Sequence, residues 1–505
     1  MKHVDVLVAG AGISGIAAAH YLQEHCPGKT FTILEGRDSI GGTWDLFRFP
    51  GIRSDSDMYT LGFSFRPWPE ADSIGEGESI RSYLEDTAIE IGIADKIQFS
   101  TRIERASFSK ADGRWTVYTR NTHTGERELL SCDFFWSCMG YYRYDEGYTP
   151  EFEGTERFRG RIVHPQKWDA DIDYDEKRVL IIGSGATAMT MLPVIAKKAE
   201  KVTMVQRSPT YVIAWPRRDR FAGFLRWLLG AKRAHPIIRW KNIRLMALLY
   251  AFLRRFPRLS SRLLVRQAYK RLGDDYDVER HFTPRYDPWD QRLCLVPDGD
   301  LFDAISEGRA DVVTDQIETF TERGLALRSG SELEADLIVT ATGFSLQWLG
   351  GVELDIDGVP FEPADSMIYK GCMLGDLPNC AFVFGYINSS WTLRAELVCE
   401  YVCKLLRFMD EHGYGQCCPE PDPTVEALPP IDLKAGYVTR AEGLIPSQGA
   451  RDPWRFNQSV ALDRALLRGQ PIDDGTLRFV ERRPAQADEH EPSTASPNTV
   501  APATP

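Results

Sequence analysis

The sequence predicts an α/β fold made of two strand, glycine-turn and helix units, with a helical insertion inside the second. Three observations carry that reading. A Gly-x-Gly-x-x-Gly turn follows an apolar strand at residues 10–15, a second glycine-paired turn follows an apolar strand at 183–188, and a basic, apolar stretch precedes the closing strand of the second unit. At 505 residues the chain is long enough for about three domains. A formal net charge of −12 speaks against a nucleic-acid partner, because phosphate contacts need clustered cations. The ten cysteines contain no C-x-x-C pair, so a reduced, cytoplasmic compartment is expected, with no disulfide framework and no metal site.

The first unit opens with the apolar run 4–9 and turns at Gly10-Ala11-Gly12-Ile13-Ser14-Gly15. Gly10 allows the tight turn, Gly12 lets a pyrophosphate approach the backbone, and Gly15 packs the following helix on the strand. Ser14 lies in the same helix N-terminus, whose free N–H groups attract phosphate. The next strand, 30–34, ends at Glu35, 20 residues beyond Gly15, where a carboxylate accepts from ribose hydroxyls. These parts together make a Rossmann-like site, and FAD is the expected occupant.

The second unit repeats the pattern with strand 179–182, then Gly183, Gly185, Ala186, Thr187 and Ala188, a helix to about residue 199 and strand 201–205. After that strand come Gln206, Arg207 and Ser208 in place of an acid. A guanidinium pairs with a 2′-phosphate where a carboxylate would repel it, so NADPH is expected here. A third strand, 336–340, leads into Ala341-Thr342-Gly343, a turn that sends the chain back to the first unit. The expected order is therefore FAD domain 1–145, NADPH domain 146–215, helical insertion 216–285, NADPH domain 286–345, FAD domain 346–482 and a disordered tail 483–505.

The insertion is set apart by charge. From Arg217 to Arg271 there are 16 lysines and arginines against one acid, Asp219, so the remainder of the chain carries −27. Runs such as 224–229 and 245–255 suit amphipathic helices with cationic faces. A cap over the substrate pocket is the favoured reading, and peripheral contact of 216–271 with an anionic membrane is the other.

Two dinucleotide sites fit both disulfide reductases and oxygen-activating flavoproteins. No cysteine occurs between Cys26 and Cys132, so a dithiol relay after Gly41-Gly42-Thr43 has nothing to run on. Between the two units, Phe158-Arg159-Gly160-Arg161-Ile162-Val163-His164-Pro165-Gln166-Lys167-Trp168-Asp169 matches the F-x-G-x-x-x-H-x-x-x-W-[P/D] signature at every defined position. On that signature the chain resembles the type I Baeyer–Villiger monooxygenases. Segments 41–48, 50–57 and 288–297 are similar to the ethionamide-activating subgroup of that family.

The resemblance implies that NADPH reduces FAD, that the reduced flavin traps O2 as a C4a-peroxyflavin, and that this attacks a ketone to give an ester or lactone. Sulfide and thioamide oxidation is implied beside it. An N/S-oxygenase without efficient ketone chemistry is the nearest alternative, and a non-catalytic redox sensor is the alternative from another class. By motif match Arg292 is the active-site cation and Asp55 the carboxylate that holds it, also facing the cofactor. Thr43, Trp44 and Asp45 resemble FAD contacts, Asn388 to Thr392 a segment facing flavin or substrate, and Trp454 a late tryptophan that contacts NADP. Phe158, Gly160, His164, Trp168 and Asp169 are expected to couple domain rotation to NADPH binding.

Overall fold

The computed structural model describes residues 1–431 and 433–482. The tail assigned to 483–505 lies outside the described residues. Strand Lys2–Ala9 is the centre of the first sheet, paired in parallel with Phe31–Leu34 on one side and Arg127–Ser137 on the other. Cys380–Phe382 adds a parallel strand beside Arg127–Ser137, and Thr101–Ser109 and Arg114–Asn121 extend the sheet as an antiparallel meander. Helix Ile13–His25 packs on this sheet together with Thr392–Glu411, which the chain supplies after a long excursion. Both helices bury most of their length, as an open sheet covered by helices requires.

The second sheet has five strands in the order Ala310–Thr314, Lys201–Gln206, Arg178–Ile182, Leu337–Thr340 and Arg161–Val163, all parallel. Helices Ala186–Ile195 and Asp300–Ser306 lie against it. An antiparallel ribbon, Ile317–Thr321, Gly324–Leu327 and Glu332–Glu334, closes a separate apolar cluster around Phe158 and Phe320. Two strands cross between the sheets and pair with each other antiparallel: Tyr142–Gly147 outward and Phe344–Leu346 on the return.

The basic stretch folds as helices Arg220–Leu229, Ala231–Arg255 and Pro257–Leu272. Local chemistry sets their ends. Asp219 caps the first by accepting from Ala222 N at 3.0 Å, Gly230 turns the chain at φ 76°, and Pro257 opens the third at a position needing no donor. The long helix docks back on the first unit. Ala234 and Ile238 bury against Tyr59, while Arg239 donates to the carbonyls of Tyr59, Thr60 and Gly62 and pairs with Glu396 at 2.7 Å. A buried guanidinium is tolerable only when satisfied in this way.

Candidate active site

Both glycine turns are shaped by close backbone approach. A Cβ at Gly15 would sit 1.9 Å from Gly10 O, and one at Gly183 would sit 2.3 Å from Ala341 O, so neither position admits a side chain. Gly10 and Gly183 also hold φ of 102° and 130°. Gly12 and Gly42 face one another across a side-chain-free groove, where a Cβ on either would lie 3.5 or 3.1 Å from the other's Cα. Ahead of the second helix, Gly185 has open space. These cradles fit the pyrophosphates of two dinucleotides.

Glu35 is buried at the end of strand Phe31–Leu34 and accepts from Ala11 N at 2.7 Å and Arg37 N at 2.9 Å. Burial raises its pKa, against those two N–H donors. Thr43 and Trp44 reach the adjoining cleft. Asp45 does not; it is buried beneath the loop, bound to Arg37 and Arg48, and these partners hold its pKa low despite burial. It therefore positions Arg37, which lines the cleft.

A single cavity of about 650 Å³ joins the two turns, lined at one end by Gly10, Gly12 and Ser14 and at the other by Ala186, Thr187 and Thr190. Arg292 and Asp55 meet in it, Nη2 to Oδ2 at 2.6 Å. Asp55 follows a segment clamped by reciprocal bonds between Ser54 and Gly75 and by the Arg53–Asp300 ion pair, which reaches the second unit. Arg292 precedes strand Cys294–Pro297, and its loop is held by Asp290, which bonds Arg254 and Lys434. Its side chain remains 31% exposed and that of Asp55 46%, and both line the cavity. Burial is the largest influence and works against the Arg292 charge, but Asp55 together with Tyr141, Tyr437 and Tyr142 outweighs it and raises the guanidinium's pKa.

Three tyrosines absent from the sequence reading surround this pair. Tyr141 and Tyr142 share a hydroxyl contact of 2.9 Å, and both they and Tyr437 have pKa values raised by burial, to about 12 for Tyr142 and Tyr437. The aromatic run at 141–144 was the visible signal for Tyr141 and Tyr142; Tyr437 had none. Trp391 stacks on Tyr141 at 5.3 Å and donates to Ser14 Oγ at 2.8 Å, which joins the 388–392 segment to the first glycine turn. Ser389 lines the cavity, whereas Asn388 turns away to donate to Gln458 O.

In the second unit, Ala188 faces the core and is fully buried, so it packs the helix and is not available to a ligand. Gln206 ends its strand and is buried, donating to His281 O and Thr314 Oγ1. Arg207 is exposed beyond it and has no ion pair among the described residues. The adjacent Ser208 carbonyl accepts from Ser184 Oγ, fastening this loop beside the glycine turn. Trp454 is not brought to the cleft. Only 1% exposed, it packs on Tyr369 beneath Gly375 and Gly449, because its flanking turn faces the core of the first unit.

The signature residues run through the edge strand Arg161–Val163 of the second sheet, and His164 at its end reaches the crossovers to the first. His164 Nε2 donates to Gly343 O at 3.0 Å, Nδ1 accepts from Gln166 N at 3.1 Å, and the ring covers Gly147, where a Cβ would be 1.9 Å from it. One imidazole thus touches both crossovers, and burial lowers its pKa, keeping it neutral. Gln166, not singled out beforehand, donates to the carbonyls of Arg143 and Tyr144. Gly160 is required because a Cβ there would meet Asp336 O at 2.5 Å; Phe158 packs near Phe320. Trp168 rests on Tyr174, and Asp169 is exposed beside it. No residue of 216–271 lines the cavity, so the expected cap over the pocket is not formed.

The chain matches the flavin-binding monooxygenase-like family over residues 2–357. It is 49% identical over 483 residues to the FAD-containing monooxygenase EthA of Mycobacterium tuberculosis, covering 95% of this chain and 98% of that protein. It is 44% identical over 481 residues to the probable FAD-binding monooxygenase AlmA of Acinetobacter baylyi, covering 95% and 96%. Its fold is similar to that of an oxidized steroid monooxygenase bound to NADP, with a TM-score of 0.74 at 21% identity over 95% of this chain and 100% of that one. Paired glycine cradles opening into one cleft accord with that match, and the chain belongs to the flavin-binding monooxygenase-like family.

Proposed function

We propose that this chain is a Baeyer–Villiger monooxygenase that uses FAD, NADPH and O2 to insert an oxygen atom beside a ketone carbonyl, and that it also oxidises sulfides or thioamides. The observation that carries this reading is the Arg292–Asp55 pair, set in the same cavity as both glycine turns. FAD and NADPH, when bound, supply the reductive activation of oxygen. The Gly10 to Gly15 turn and Glu35 would hold FAD; Gly183, Gly185, Ala186, Thr187 and Arg207 would hold NADPH.

Arg292 supplies a fixed cation that needs no proton transfer to stabilise an oxyanion formed at the substrate carbonyl. Asp55 aims it, and Ser54 and Gly75 aim Asp55. Phe47, Phe344 and Tyr142 form an aromatic wall on the same cleft, which excludes water and suits an apolar ketone. Sulfide or thioamide oxidation follows from the same cleft because a soft sulfur nucleophile needs no oxyanion support.

The test compares wild type with Arg292→Ala on a linear ketone and a thioether, with products identified by mass spectrometry. Ester formation falls by about 100-fold or more, the cost of removing an oxyanion partner, while anaerobic bleaching by NADPH is retained. Unchanged ester yield in the variant would overturn the assignment, and sulfoxide without ester in the wild type would identify an S-oxygenase.

A further inference from the structure

Fourteen of the twenty-four large apolar side chains exposed among the described residues lie between Phe221 and Tyr269, so the insert concentrates what the rest of the surface avoids. Trp227 is 79% and Trp240 60% exposed. On helix Ala231–Arg255 the outward residues Ile237, Trp240, Arg244, Leu248, Phe252 and Arg255 recur at three- and four-residue steps, opposite the docked face of His235, Arg239 and Asn242. One face seats the helix on the protein, and the other presents apolar and cationic groups to solvent.

The cations divide in the same way. Of the 16 in the insert, six are tied to the body: Arg217, Arg218, Arg239, Arg254 and Arg271 pair with acids, and Arg226 bonds carbonyls; a seventh, Lys241, pairs with the insert's own Asp219. The other nine have no carboxylate partner among the described residues. Four of them, Arg258, Arg262, Arg266 and Lys270, form a ridge at four-residue spacing along helix Pro257–Leu272. A protein that is otherwise strongly acidic keeps these charges without carboxylate partners in the same insert as two exposed tryptophans, and one of the nine, Arg244, stacks over Trp240 at 5.4 Å. No helix among the described residues is long and apolar enough to cross a bilayer.

We propose that the outer face of the insert docks on the surface of an anionic phospholipid bilayer, with the Arg258 to Lys270 ridge contacting headgroups and Trp227 and Trp240 entering the interface. Charge complementarity selects this occupant: a water-soluble protein partner would not call for both a like-signed ridge and ring-sized apolar groups at an interfacial depth. The same long helix carries Tyr250 against Trp289 and Arg254 onto Asp290, so the docked element is the one that braces the Arg292 loop.

The FAD-loaded full chain is mixed with sonicated vesicles of phosphatidylcholine alone or of equal parts phosphatidylcholine and phosphatidylglycerol, then sedimented. The proposal expects sedimentation with the anionic vesicles at low salt only. Arg258→Gln/Arg262→Gln/Arg266→Gln lowers the partition coefficient at least tenfold, and Trp227→Ser/Trp240→Ser removes the quenching of tryptophan fluorescence by brominated acyl chains. Retained FAD and unchanged NADPH oxidation in both variants show that they fold. Absence of binding to anionic vesicles, binding that the variants leave unaltered, or variants that only dissolve a self-association seen without lipid would each overturn the proposal.

Discussion

Asp55 lies 2.6 Å from Arg292, and under the proposed function the two act as one group. The pair is partly open to the cavity, so its Coulomb energy is moderate, and its value lies in fixing the direction of the guanidinium. Asp55→Ala is expected to lower ketone turnover about tenfold, a barrier change of about 1.4 kcal/mol, which is less than the loss in Arg292→Ala. The double variant should be no worse than Arg292→Ala alone, because Asp55 acts through its partner. Additive losses in kcat would show that Asp55 has a separate role. The family resemblance pointed to these two residues and their side chains do meet, but burial was not readable from the sequence. Trp454 and Ala188 occupy motif-like positions and prove to be packing groups, since the sequence shows where a residue lies along the chain and not which side of it faces the core.

Single elements show what local patterning can reach. Both glycine turns were legible because strand, turn and helix are adjacent in sequence, and the insert's helices were legible from their apolar period. Which face of the long helix docks was not. Arg239 reads as one more surface cation until the carbonyls of the short helix Met58–Leu61 and its cap Gly62, about 180 residues earlier, gather around it. His235 on that docked face donates to Phe63 O at 3.2 Å with Arg239 and Arg226 nearby, and burial, then Arg239, lower its pKa to about 4. An unfolded histidine takes up a proton near pH 6.5, so the docking free energy is complete above that value and is lost as pH falls toward 4. The full effect is roughly 3 kcal/mol for a shift of this size. Amide exchange across 231–242 should therefore accelerate between pH 6.5 and 4, and His235→Gln, which retains a donor for Phe63 O, should flatten the response. A profile identical in both proteins would place the acid sensitivity elsewhere.

At the scale of the whole molecule, the proposed function asks two sheets to bring a hydride donor and an oxygen site into one cavity, and the two strands described as crossing between them pair with each other. His164 bonds Gly343 on the return strand, covers Gly147 on the outward one, and Gln166 holds the carbonyls between them. A rotation of one sheet against the other would pass through this knot, so we propose that His164 is a positioning residue whose effect should fall on coupling and not on either half-reaction alone. His164→Ala is expected to reduce product formed per NADPH consumed by about tenfold, while the unfolding temperature shifts little because the ring is only half buried. His164→Gln keeps an amide donor for Gly343 O and should recover much of the coupling. A merely structural histidine would instead lower NADPH consumption and product together, and leave their ratio where the wild type has it.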